Sequence, residues 1–246
     1  MVNINLNILN SCSSTNDIAF KAAQKGAKEG DSYLAYEQTK GRGRNNNLWI
    51  SMKGNLFLST IIKPKSNKSC WHQLSSIIGF SILDVLYEVG IKKDIIEFKW
   101  PNDVLVNKRK ISGVLLESSH DFIIAGIGLN VLEVPALETK WKTTKLNDYI
   151  DKNISVEKMG SKILNKVFIN YTLWANHGFD LFYKKINPYI KNINESIIIK
   201  TSAKSKLING IFLGLGKNGG LKIKKQNDFF EYFSIDSFSF PKDDIK

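Results

Sequence analysis

Lys110 opens an apolar run, Ile111-Ser112-Gly113-Val114-Leu115-Leu116, a few residues behind Lys99-Trp100-Pro101-Asn102-Asp103. A lysine so placed offers a compact point charge to a carboxylate or a phosphate. Upstream lies Gly41-Arg42-Gly43-Arg44, followed by Trp49. Its glycines let backbone amides approach a ligand, and Arg44 can fork onto oxyanion oxygens. Asn102 and Asp103 follow Pro101, which favours an extended approach and equally suits an Asx-type turn. Downstream, Gly126-Ile127-Gly128-Leu129 leads to Asn130, an amide able to pair with a purine edge. Taken singly, the Gly-Arg segment also fits a basic flexible loop, and Lys110 an ordinary turn lysine beside Lys108 and Arg109. Together they set cations and close-approach glycines around one sheet. That combination suits a site where negative charge is gathered, with cations and N–H groups aimed at one point.

These motifs, in this order, resemble the biotin–protein ligase family, with specific matches from about Ser13 to Val131 and a looser likeness beyond. The resemblance implies ATP-dependent formation of biotinyl-5'-AMP. Biotin is then transferred to a lysine of a biotin carboxyl carrier protein domain of a biotin-dependent carboxylase. It implies catalytic roles for Lys110 and Arg44. Ser14, Thr15 and Asn16, which by themselves read as helix-capping residues, would meet biotin with Gln38, Gly41 and Arg42, above a floor containing Gly113 and Leu115. The adenylate would be met by Arg44, Trp49, Asn102, Asp103, Lys110 and Asn130. Trp141 either folds over the adenine or is a core or surface tryptophan. Mg2+ would come with ATP, with Asp103 as its carboxylate. Where many relatives carry another cation or Gly-Gly-Asn in the loop, this chain has Asn45-Asn46-Asn47. Asn tolerates left-handed backbone and can replace glycine there. The nearest rival is a lipoate or octanoate ligase, which shares the fold and a catalytic lysine. A rival of another class is a basic nucleic-acid-binding module, which would need aromatics stacked within a basic face.

The elements that must position these residues follow from periodicity. A helical pattern follows the capping cluster and stops at Gly26, and 32–37 reads as a strand before a polar loop over 38–54. Leu56, Leu58 and Thr60 alternate with Phe57, Ser59 and Ile61, which predicts a strand with two distinct faces. Residues 69–89 predict an amphipathic helix, and runs at 95–100, 103–106, 111–117 and 122–131 predict neighbouring strands. A second long helix is expected over 155–176, and a short one ending near Pro188. From Glu195 short strands alternate with turn signals, and Phe229, Phe230, Tyr232 and Phe233 read as their core. The pattern predicts an α+β chain, a mixed sheet flanked by helices followed by a small β-barrel; the family resemblance implies a class II synthetase-like ligase domain over 1–190 and an SH3-like module over 191–246.

Composition sets the remaining bounds. The 246 residues carry a formal net charge of +12, which favours polyanionic partners or simply solubility. Two cysteines make no disulfide framework, and nothing reads as a signal peptide or membrane span, so the cytoplasm is the expected compartment. About a dozen residues precede the first motif, too few for a helix-turn-helix domain, so an enzyme without DNA binding is expected. Whether it is a monomer or a homodimer stays open. The histidines show no metal-ligand spacing, and Gly214-Leu-Gly216-Lys-Asn-Gly219 lacks the helix that a dinucleotide fingerprint needs.

Overall fold

The computed structural model describes residues 2–135, 142–151, 154–201, 207–235 and 237–241. The first of its two sheets has seven strands: β1 (Asn5–Leu9), β2 (Asp31–Ala35), β3 (Leu56–Ile62), β4 (Ile96–Lys99), β5 (Asp103–Val106), β6 (Arg109–Ser118) and β7 (Ile123–Leu129). Their spatial order is β1-β2-β3-β7-β6-β5-β4. β1 runs parallel to β2 and the other neighbours pair antiparallel, so the sheet is mixed. β1 is an addition to the expected elements. Its period-2 signal is legible in hindsight, Ile4, Leu6 and Ile8 alternating with Asn3, Asn5 and Asn7.

The alternation of β3 divides the molecule into two layers. Leu56, Leu58 and Ile62 join the large core beneath α2 (Gln73–Glu88) and α3 (Val156–His177). Ile61 faces the other way and packs with Ala19 and Ala23 of α1 (Thr15–Gln24) and with Ile124. β7 divides likewise, Ala125, Ile127 and Leu129 into the large core and Ile124 toward α1. α1 is short and covers only part of its face. The remainder of that face is left for a cavity.

α3 begins at Ser155, whose side chain accepts from the Lys158 N–H at 3.3 Å, and ends at Gly178 in a positive-φ conformation. α2 differs from expectation: it starts at Gln73, after a separate turn at Lys68–Cys70, and is buried on most sides rather than amphipathic. The reason is its position between the sheet and α3, which removes the solvent-facing side such a pattern needs. α4 (Asp180–Ile186) follows α3.

The second sheet is antiparallel, with β8 (Ser196–Lys200), β9 (Leu207–Leu215), β10 (Leu221–Lys225), β11 (Asp228–Tyr232) and β12 (Ser237–Ser239) in the order β11-β10-β9-β8-β12. β12 was not expected from the sequence. The turn between β9 and β10 docks onto the first unit. Trp100 Nε1 donates to the Gly219 carbonyl at 3.1 Å, and Gln73 Nε2 to the Asn218 carbonyl at 2.9 Å. The aromatics at and just after β11 correct the sequence reading. Phe229 and Phe230 are 60% and 44% exposed because β11 is an edge strand, and Phe233, just past it, is 45% exposed beside His72 of the first unit. Among the described residues, no helix is long and apolar enough to cross a membrane.

Candidate active site

A cavity of about 430 Å³ opens on the face of the seven-stranded sheet that α1 leaves uncovered. Its floor is made where β6 and β7 lie side by side, with Gly113 opposite Gly128 and Leu115 opposite Gly126. A Cβ on Gly126 would come within 2.2 Å of Asn16 Oδ1, and one on Gly128 within 2.4 Å of the Trp49 indole. The glycines thus admit the N-terminus of α1 at one end and the indole at the other.

The α1 end is a polar network. Thr15 N–H donates to Gln38 Oε1 at 2.8 Å, and the Thr15 hydroxyl to the same oxygen at 3.1 Å. The Ser59 hydroxyl donates to Asn16 Oδ1 at 2.5 Å and lies 2.7 Å from Thr15 Oγ1. Asn16 Nδ2 donates to Glu117 Oε2 at 2.6 Å, and Gln38 Nε2 to Ser51 Oγ at 3.1 Å. Ser14 occupies the N-cap position, but its side chain makes no capping bond, contrary to the simple capping expectation. Its buried hydroxyl lines the cavity instead. Gly41 lies off the cavity wall. A Cβ there would come within 2.5 Å of Ser51 Oγ and of the Trp49 carbonyl, so its missing side chain serves the packing of the loop.

Arg42 and Arg44 belong to one small hairpin. Gly43 N–H donates to the Asn47 carbonyl at 2.7 Å, Trp49 N–H to the Gly41 carbonyl at 3.1 Å, and Arg42 bridges Leu48. Asn45 takes the left-handed conformation at φ 54, as its residue type allows. The two arginines meet opposite environments. Arg42 is enclosed by carboxylates, 2.6 Å from Asp17 Oδ1 and 3.0 Å from both oxygens of Glu117. Its bond to Asp17 above all holds its guanidinium pKa up. Arg44 meets a neutral partner, Asn102 Oδ1, at 3.4 Å, and burial lowers its pKa despite nearby Asp103. A half-buried cation without a bound carboxylate favours an incoming anion.

Lys110 reaches the cavity through an irregularity. Val104 pairs with Ser112 but Leu105 pairs with Lys110, so Ile111 is an extra residue in β6. Simple alternation would put Lys110 on the face opposite Gly113. The bulge turns it onto the same face, where Nζ lies 2.7 Å from Asp103 Oδ1 and 5.4 Å from the Trp49 ring centroid. Both charged side chains are mostly enclosed, 20% and 14% exposed. Asn102 is fixed by Nδ2 donating to the Val114 carbonyl at 3.0 Å. Asn130 Nδ2 donates to the Thr144 carbonyl at 3.0 Å, and residues 142–144 are laced to Lys110 by two backbone bonds. The buried Trp49 Nε1 has no hydrogen-bond partner among the described residues.

Thus the cavity wall includes Ser14, Thr15, Asn16, Gln38 and Arg42 at one end. Arg44, Trp49, Asn102, Asp103, Lys110 and Asn130 line the other, over Gly113 and Leu115. Trp141 lies outside the described residues. Sequence reading missed Ser59, Glu117 and Thr143, and also Ile235, Ser237 and Phe238, by which the second sheet contributes to the wall. Ser59 had a signal, since its alternation put it on the side of Phe57 and Ile61. Glu117 had one too, since alternation along the strand over 111–117 sets it on the face of Gly113 and Leu115, and the others are brought in by long-range packing.

Fold and cavity together define a ligase-type catalytic domain, with a polar network at one end of the floor and cations at the other. A model of the biotin/lipoate A/B protein ligase family matches residues 8–131, and the chain belongs to that family. It is 29% identical over 238 residues to the bifunctional ligase/repressor BirA of Bacillus subtilis (strain 168), covering 91% of this chain and 70% of that protein. It is 35% identical over 127 residues to the biotin–[acetyl-CoA-carboxylase] ligase of Paracoccus denitrificans, covering 50% of this chain and 52% of that one. Among solved structures, the biotin protein ligase from Aquifex aeolicus in complex with biotin and ATP superposes with a TM-score of 0.83. It has 30% identity and covers 96% of this chain and 99% of that one.

Proposed function

We propose that this chain is a biotin–protein ligase that activates biotin with ATP and transfers it to a lysine of a biotin carboxyl carrier protein domain. In the first step a biotin carboxylate oxygen bonds to the α-phosphorus and the bond to pyrophosphate breaks. In the second, the carrier lysine, as a free amine, attacks the acyl carbon, AMP leaves and an amide forms. The observation that carries this reading is the meeting of Lys110 and Arg44 at one end of a cavity whose other end is a hydrogen-bonding wall of neutral side chains, its one cation, Arg42, matched by carboxylates. A cyclic urea fits the Ser14, Thr15, Asn16 and Gln38 wall, which offers both donors and acceptors.

Lys110 neutralises the approaching carboxylate and α-phosphate, and Arg44 supplies its guanidinium to phosphate oxygens. Trp49 Nε1 is a buried donor that a ligand oxygen would satisfy, recovering about 1–3 kcal/mol of desolvation. Among the described residues Asn130 keeps one N–H and its Oδ1 for an adenine edge, since its other N–H serves Thr144. Among the described lining residues Asp103 is the only carboxylate, and among the described residues no cluster of metal-ligating groups exists. That donor set fits Mg2+ brought by ATP, which would supply charge neutralisation at the phosphates, with Asp103 as its protein ligand. We further assign the ligase domain to 1–190 and an SH3-like barrel to 191–246, which the five-stranded sheet supports.

The test is pyrophosphate exchange from MgATP by the purified chain. Exchange should depend on biotin. Exchange supported by lipoate or octanoate and not by biotin would move the chain to the lipoate side of its family.

A further inference from the structure

The Gly41–Trp49 hairpin needs tethers to the rest of the molecule, because its backbone bonds are mostly internal. Its start is tied to the segment before α1 by Thr39 N–H to the Cys12 carbonyl and Lys40 N–H to the Ser13 carbonyl. Beyond Lys40 the firm side-chain tether is Arg42. Its Nη2 lies 2.6 Å from Asp17 Oδ1 in the first turn of α1, and Nε and Nη2 both donate to Glu117 on β6 at 3.0–3.2 Å. Glu117 also accepts from Asn16 Nδ2 at 2.6 Å. One guanidinium therefore joins the hairpin, α1 and β6, and shares a carboxylate with a residue of the polar wall.

Resting on the biotin-ligase reading, we propose that Arg42, Asp17 and Glu117 are positioning residues. They form a latch that holds the hairpin closed over the biotin end and retains biotinyl-AMP, with Arg42 acting through the carboxylates rather than as a biotin contact. The forked geometry has the directionality of a charge-assisted pair. Its partial exposure, about a third for each partner, keeps it releasable. An oriented Asn16 and a closed hairpin then depend on the same carboxylate, so ligand binding and closure favour each other.

The experiment uses the full chain and the variants Asp17→Asn, Asp17→Asn/Glu117→Gln, Arg42→Ala and Arg42→Lys. Release of preformed biotinyl-AMP without carrier and the biotin KM in exchange should both rise about three- to tenfold in Asp17→Asn, and further in the double variant. The kcat of exchange at saturating biotin should stay within about threefold of the parent for Asp17→Asn, since that residue touches neither reacting group. Arg42→Lys, which keeps the charge without the fork, should fall between the parent and Arg42→Ala. Without any ligand, trypsin should cut after Lys40, Arg42 or Arg44 faster in the two carboxylate variants. Weakened biotin binding in Arg42→Ala with parental behaviour in both carboxylate variants would make Arg42 a direct ligand contact and overturn the latch. Parental release and parental trypsin sensitivity throughout would overturn it too. Absence of biotin-dependent exchange in the parent would instead fail the biotin-ligase reading, and the ligand-free digestion would still test the latch.

Discussion

The two ends of the cavity are built on opposite principles. At the α1 end, Thr15, Asn16, Gln38, Ser51 and Ser59 satisfy one another, and even the cation there, Arg42, is matched by two carboxylates. At the other end, among the described residues, Arg44 has only a long bond to a neutral amide, Lys110 shares one carboxylate, and the Trp49 N–H has no acceptor. A neutral ligand is best met by a finished network that needs no rearrangement. A polyanion is best met by cations whose compensation is incomplete, because the ligand then completes it. The protein keeps its electrostatic imbalance where charge changes during the reaction.

The largest effect should come from Lys110→Ala. Transition-state contacts of this kind are worth about 3–4 kcal/mol, so biotin-dependent exchange should fall by about two to three orders of magnitude. The variant also strands Asp103, so its melting temperature should drop and recover in Lys110→Ala/Asp103→Asn without recovery of activity. Activity within about threefold of the parent would return Lys110 to a turn lysine.

The two floor glycines separate the ends. A methyl group at Gly126 would strike Asn16, and one at Gly128 would strike Trp49. Overpacking of this kind costs about 1–3 kcal/mol, so effects near tenfold are expected. Gly126→Ala should raise the biotin KM, and Gly128→Ala should raise the ATP KM and lower kcat. Identical kinetic profiles would remove the distinction between the ends.

Arg44→Gly should release biotinyl-AMP about severalfold faster and increase labelling of bystander lysines, as expected on losing a charged hydrogen bond. Unlike Asp17→Asn, it should weaken ATP rather than biotin. Slower synthesis without leakage would confine Arg44 to the chemical step.

The smallest effect concerns association. Lys222 and Lys224 pair with Glu231 and Phe229 in register on the outer face of the second sheet, and the chain carries +12 overall. An acidic carrier should be attracted, so its kcat/KM should fall severalfold from about 50 to 500 mM salt, where the Debye length shrinks to a few Å. Biotin-dependent exchange, whose charges are enclosed, should fall much less. Equal sensitivity of the two steps would count against electrostatic docking.

Sequence by itself determined the order of the motifs, the two-faced alternation of β3, the paired glycines two apart in β7 and the span of α3. Each is a local pattern, set by strand or helix periodicity over a few residues, and periodicity is readable without knowing what the element packs against. The tertiary structure alone decided which way Lys110 points. Its side chain would face the helices but for the extra residue at Ile111, and a bulge is defined by pairing with β5. It also decided the partners of Arg42, which lie 25 and 75 residues away in the chain. The exposure of Phe229 and Phe230 was decided the same way, since an aromatic on a strand is core only when another layer covers it. Register, ion pairing and layer cover belong to pairs of distant segments, so no single segment of the sequence could express them.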